Sequence, residues 1–134
     1  MPGPMNIFTV AQHAMSAQLV RMNSAASNLA NAGSVTGSES EAYRPTRPVF
    51  AQELDQQSGL STVRVSGLYR SDSAPIKRYD PGNPMADAEG NVFEAPVDQN
   101  AEMVEMLESS RQYQNMVEAL QTAKQLMLET MRIK

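Results

Sequence analysis

Spacing of apolar residues divides the chain into three parts. From Asn6 to Ala30, Phe8, Ala11, Met15, Leu19, Met22, Ala26 and Leu29 recur every three or four positions, which predicts one face of an α-helix. Ile7, Ala14 and Ala25 form a second row beside it. Its small side chains let another helix approach near the lower end of the roughly 8–10 Å interaxial range. Asn28 and Asn31 precede Gly33, and Asn and Gly readily adopt the left-handed conformation that closes many helices.

The stretch from Val97 to Lys134 contains no glycine or proline. Met103, Met106, Ser110, Tyr113, Val117, Leu120, Lys124, Met127 and Met131 keep a 3-4 alternation, a heptad seam interrupted at Ser110 and Lys124. Met116, Ala119, Ala123, Leu126, Thr130 and Ile133 form a second seam. Asp98 is placed to cap the start. Early acids and late bases suit the helix dipole. On a wheel of residues 116–133 the polar set fills an arc of about 100°, and the mainly apolar set covers about 220°. A helix lying on one partner needs only about 100° of apolar face. One seam suits the N-terminal helix of the same chain, which leaves the other for a further copy or relative. The small β element could cover part of it.

Between them, glycine and proline punctuate residues 33–96. Leu60 to Val65 is the best strand by alternation, followed by Val49-Phe50, Leu68-Tyr69, Ile76 to Tyr79 and Val92-Phe93. Residues 33–42 read as a mobile loop. The expected fold is mainly α with a small β element. Long N- and C-terminal helices pair as a coiled-coil hairpin, with a short antiparallel β region between them. The divisions are 1–32 (N-terminal assembly helix), 33–96 (loop and small β region) and 97–134 (C-terminal assembly helix). In the assembly the β element is expected to decorate or brace the outside. The ends of a lone subunit should be poorly ordered, because ordering them costs roughly 1–2 kcal/mol of backbone entropy per residue.

Composition narrows the function. The net charge of −4 argues against sequence-independent nucleic-acid binding, which needs clustered Lys and Arg. It also argues against adsorption to anionic membranes. No apolar run approaches the roughly 18 residues of a membrane span, so no stable membrane insertion is expected. No basic region followed by an apolar stretch marks a cleaved secretory signal. Met1–Pro4 reads as an extension, with Met5 an alternative start. Cysteine is absent, which excludes disulfides and thiolate-ligated metals. The single histidine, His13, falls on the polar side of the first helix, without partners for a triad or a metal site. Asp87 and Glu89 lack the spacing of a calcium loop. No catalytic residue, cofactor or metal is assigned. Ten methionines suit surfaces that must accept several neighbours.

The motifs at the two ends carry a resemblance. Ala25-Ala26-Ser27-Asn28-Leu29-Ala30-Asn31-Ala32 closes the first helix, and Val97-Asp98-Gln99-Asn100-Ala101-Glu102-Met103-Val104 opens the last. Arg111-Gln112-Tyr113-Gln114 and Leu120-Gln121-Thr122-Ala123-Lys124 follow. Together they resemble the rod, hook and hook-associated axial proteins of the bacterial flagellum. The long spacing from Ser34 to Tyr43-Arg44 and the turn from Tyr79 to Val92 resemble proximal rod members. The Pro45-Thr46-Arg47-Pro48 spelling departs from that pattern, and no contacts are assigned there.

The resemblance implies a structural subunit of the basal body that assembles with copies of itself and other flagellar rod proteins around an export channel. It implies torque carried through the periplasm, and passage through the flagellar export apparatus without a cleaved signal peptide. The assembly interface expected on these grounds comprises Phe8, Met15, Leu19, Met22, Asn28, Leu29 and Asn31. From the last helix it takes Met103, Met106, Tyr113, Met116, Val117, Leu120, Leu126, Met127 and Met131. Asn28 and Asn31 are most simply helix-terminating residues, with an intersubunit role as the alternative. Periodicity alone fits a soluble helical adaptor or chaperone for a partner helix equally well.

Overall fold

A computed structural model describes residues 6–133; Met1–Met5 and Lys134, and with them the expected N-terminal extension, lie outside the described residues. Helix α1 spans Ile7–Ala30. It begins where the Asn6 side chain accepts a hydrogen bond from the Thr9 amide at 3.0 Å. It ends where the Asn31 backbone and side-chain N–H groups both donate to the Ser27 carbonyl. Gly33, at φ 81, then turns the chain in a conformation that favours glycine. Strands β1 (Val35–Thr36), β2 (Thr46–Leu54), β3 (Ser61–Arg70), β4 (Ile76–Tyr79) and β5 (Asn91–Glu94) follow, with a 3₁₀ turn at Glu39–Glu41. Helix α2 spans Gln99–Ile133 and is capped by Asp98, whose carboxylate accepts from the Asn100 and Ala101 amides.

The strands form two antiparallel sheets, one in the order β1-β5-β4 and the other the β2–β3 hairpin. In the hairpin Val49 faces Gly67 while Phe50 faces Val65. Ser66 is therefore an extra residue, a bulge, and its hydroxyl donates to the Val49 carbonyl at 3.1 Å. In the other sheet β5 is central. Val92 is fully buried there, and the Ala95 amide returns to the Ser34 carbonyl at 3.0 Å.

This architecture corrects the expectation of a mainly α chain with a small β element and a coiled-coil hairpin. Strand accounts for 23 % of the described residues against 48 % helix. The β2–β3 ribbon has strands of nine and ten residues. It lies along α1, with α2 on another side of the same helix. A helix held between a helix and a ribbon does not follow two-stranded coiled-coil geometry. The buried or half-buried positions of α2 include Glu102, Met106, Ser109, Tyr113, Met116, Leu120 and Ala123, and mix the two predicted seams. Residues 33–42, expected as a mobile loop, contain β1, with Val35 opposite Glu94 and Thr36 opposite Phe93. Two residues are too few to show alternation.

The helices run antiparallel and differ in length. Arg21 of α1 meets Glu105 of α2. At equal rise per residue, the start of α1 at Ile7 then lies level with about residue 119 of α2. Beyond Ala123 every described residue of α2 is exposed. Among the described residues the buried apolar side chains are Ala17, Ala25, Ala42, Val92 and Ala95, and of these Val92 alone is larger than alanine. The chain exposes 9155 Å², where a compact protein of this mass exposes roughly 6,900 Å².

Candidate assembly surface

A polar node fixes the root of the ribbon to both helices. Asn28 is completely buried. Its Nδ2 donates to the Thr46 carbonyl at 3.0 Å, and its Oδ1 accepts from the Thr46 amide at 2.9 Å and the Tyr43 hydroxyl at 2.7 Å. One side-chain amide thus pairs with the first residue of β2 as a neighbouring strand would. Arg47, next along β2, donates two hydrogen bonds to the Glu102 carboxylate at 2.7 and 2.6 Å. Bidentate pairs of this kind fix direction as well as distance. The Glu102 side chain is 5 % exposed. Its hydrogen bond to Arg47 is the main cause that raises the guanidinium pKa above its usual value. One turn on, Arg21 of α1 donates to Glu105 at 2.7 Å. That hydrogen bond, against partial burial, holds the Glu105 carboxyl below the usual carboxylate range. The ribbon is tied again further along α1, where His13 Nδ1 lies 3.2 Å from the Thr62 hydroxyl. His13 therefore faces the ribbon and not open solvent.

The predicted interface residues separate into three groups. Asn28 is spent inside the chain, and Asn31 closes α1. Phe8, Met15, Met22, Leu29, Met106, Tyr113, Met116, Val117 and Leu120 are half-buried. Leu19, Met103, Leu126, Met127 and Met131 are exposed. The sequence reading missed Leu128, at 53 % exposure, and the outward pair Val104 and Leu107. It also missed Tyr43, Arg47 and Glu102, because partners 15 and 55 residues apart leave no local pattern.

Other chemistry is accounted for locally. The Asp87 carboxylate accepts from the Glu89 and Asn91 amides at 2.9 Å each and closes the β4–β5 turn. Among the described residues no three His, Cys, Asp or Glu side chains gather as metal ligands, and no helix is long and apolar enough to cross a membrane.

The most distinctive surface is the overhang of α2. Leu126, Met127, Leu128, Met131 and Ile133 are 52–87 % exposed on a helix with no neighbour at that level among the described residues. Met127 and Met131 continue the stripe of Met106, Tyr113, Met116 and Leu120 that α1 covers lower down, at the same 3-4 spacing.

Comparison with known proteins gives this surface its context. Residues 89–133 match the family described as Flagellar basal body rod FlgEFG protein C-terminal. The whole chain is 44 % identical over 131 residues to the flagellar basal-body rod protein FlgC of Salmonella typhimurium (strain LT2), covering 96 % of both chains. Identity to the FlgC of Yersinia enterocolitica is 46 % over 132 residues, with 96 % of both covered. The FlgC of Agrobacterium fabrum is 31 % identical, over 90 % of this chain and 88 % of its own. The chain belongs to the FlgC family of flagellar basal-body rod proteins.

Proposed function

We propose that this chain builds the proximal rod through the overhang of α2, which neighbouring subunits cover. Family membership makes it a structural component of the basal-body rod, which sets aside the helical adaptor or chaperone that periodicity alone left open. The observation that supports the mode of assembly is the run of large apolar side chains past the end of α1. Single molecules rarely expose contiguous apolar patches of this kind unless something binds them. Burial against copies of itself and other rod proteins stabilises the contact at about 25 cal/mol per Å². Torque is then carried by side-chain packing spread over many subunits, with no chemical step. The chain reaches the rod through the flagellar export apparatus.

Leu120, an obvious target by sequence, is half-buried on the α1 side, so an aspartate there damages the fold as well as assembly. Met127 and Met131 are 52 % and 69 % exposed and separate the two effects. The double variant Met127→Asp/Met131→Asp should keep the monomer's stability within about 0.5 kcal/mol, as surface substitutions do, while abolishing rod incorporation and motility. Recovery of that variant in basal bodies at wild-type level refutes the proposal.

A further inference from the structure

We infer that the cleft between α1 and the segment Ala42–Arg44 is a docking site for an acidic peptide segment of another protein. The cleft has a volume of about 620 Å³, within the roughly 300–1,000 Å³ of protein binding clefts. Asn23, Ser24 and Ser27 of α1 give it a polar, uncharged wall, and Arg44, Arg70 and Glu41 stand around it. At about 100° per residue, Asn23 and Ser27 lie about 200° and 240° round α1 from Arg21, which meets α2. The cleft therefore opens on the side of α1 away from α2 and is separate from the overhang.

Charge selects the ligand. Residues 44–78 carry six basic and three acidic side chains, whereas the rest of the chain carries five and twelve. Seven basic residues precede α2, and ion pairs take four of them, Arg21, Arg47, Arg64 and Arg78. Of the other three, Arg44 and Arg70 both border the cleft. Arg44 reaches the Ser71 carbonyl at 3.5 Å, a contact at the long limit of a hydrogen bond. Two guanidinium groups without a carboxylate partner thus share one cleft of an acidic protein. Their planar forks match carboxylates, which accept two parallel hydrogen bonds.

The remaining lining suits a peptide better than a dense polyanion. Glu41 repels closely spaced negative charge and accepts from an N–H group. The amide of Asn23 and the hydroxyl of Ser27 complement backbone carbonyl and N–H groups. Leu68, 60 % exposed, adds apolar contact at the edge. The cleft is also preformed, because Ser24 and Ala42 are buried and the Tyr43 hydroxyl is held between Asn28 and Ser27. A preformed site lowers the ordering cost of binding. Outside α2, many of this chain's own carboxylates are already engaged, as at Glu53, Asp80, Asp87, Glu94 and Asp98, which favours a different protein as the source.

The test uses the purified full-length chain and a fluorescein-labelled hexapeptide that alternates Glu and Ser, read by fluorescence anisotropy. Binding should saturate with a Kd below about 1 mM. Arg44→Glu/Arg70→Glu should weaken it about ten-fold or more, the loss expected of one charge-assisted hydrogen bond. Asn23→Trp fills the cleft without altering charge and should weaken it as much. Lys77→Glu/Arg111→Glu reverses two charges elsewhere and should stay within about two-fold at physiological salt, where distant charges are screened. All five positions are exposed, and circular dichroism verifies that each variant is folded.

Absence of saturation at about 1 mM overturns the inference. So does an equal loss in the two double variants, parent-like binding by Asn23→Trp, or tighter binding of a six-nucleotide single-stranded DNA or of the Lys-Ser counterpart peptide. A dimer of the parent that the acidic peptide breaks would put a second copy in the cleft and overturns it as well. None of these results bears on the overhang, whose assembly role fails instead on entry of Met127→Asp/Met131→Asp into the rod.

Discussion

Replacement of Asn28 by alanine removes three hydrogen bonds from a site with no access to water. Tyr43 keeps a partner, because its hydroxyl also lies 3.0 Å from the Ser27 hydroxyl. The stranded groups are the amide and the carbonyl of Thr46. Each unpaired buried group costs about 1–3 kcal/mol. Thr46 is half-buried, which places both near the lower end, so the total loss is about 2–4 kcal/mol. Asn28→Asp keeps the acceptor but turns an oxygen, and a buried charge, toward the Thr46 carbonyl; it should destabilise at least as much as alanine. For a domain of this size 1 kcal/mol moves Tm by about 3–6 °C, so thermal unfolding of Asn28→Ala should fall by roughly 10 °C. Hydrogen exchange at the Thr46 amide should accelerate before exchange at Thr62, at the other tie of the ribbon. A shift of less than about 2 °C, or an Asn28→Asp variant as stable as the parent, refutes the view that this side chain holds the ribbon's root.

Arg47→Ala leaves the buried Glu102 carboxylate without its bidentate partner. With Arg47 itself 40 % exposed, the loss measured by denaturant unfolding should fall between exposed and buried pairs, at about 2–3 kcal/mol. The Arg21–Glu105 pair gives a pH signature. Because the Glu105 pKa is lowered in the fold, its contribution is present above the unfolded value of about 4.3 and is lost as pH falls through the lower folded value. Tm of the parent should therefore drop more steeply than that of Arg21→Ala between neutral pH and about pH 3, and parallel curves refute the coupling. In the lone subunit, amides from Leu126 to Ile133 should exchange fastest within α2, and assembly should protect them.

Both helices were legible because their signals are local. Absence of glycine and proline, 3-4 spacing, Asp98 and the Asn31-Ala32-Gly33 exit each act within a turn or two. Ile76–Tyr79 emerged as a strand with the limits read from the sequence, and the apolar excess of α2 was visible on a wheel. What remained hidden depends on distant partners. Pro48 and Gly67 punctuate the ribbon and disguised two long strands as fragments. The reading of Asn28 as a helix terminator follows its local chemistry, but its carbonyl and amide are claimed by Thr46, 18 residues away. Which half of the α2 seam stays bare is set by the length of α1 and its register at Arg21–Glu105, and a single-helix wheel contains neither.

The thin interior has a thermodynamic consequence. Set against an extended chain of this mass, the 9155 Å² that remain accessible mean that folding hides only about 57 % of the available surface, the fraction typical of a 60-residue domain. The slope of stability against denaturant scales with newly exposed area, so urea should unfold the solitary subunit along a shallow curve. Locked among its neighbours, the same polypeptide has far more area to uncover, and its transition should sharpen into that of the whole shaft.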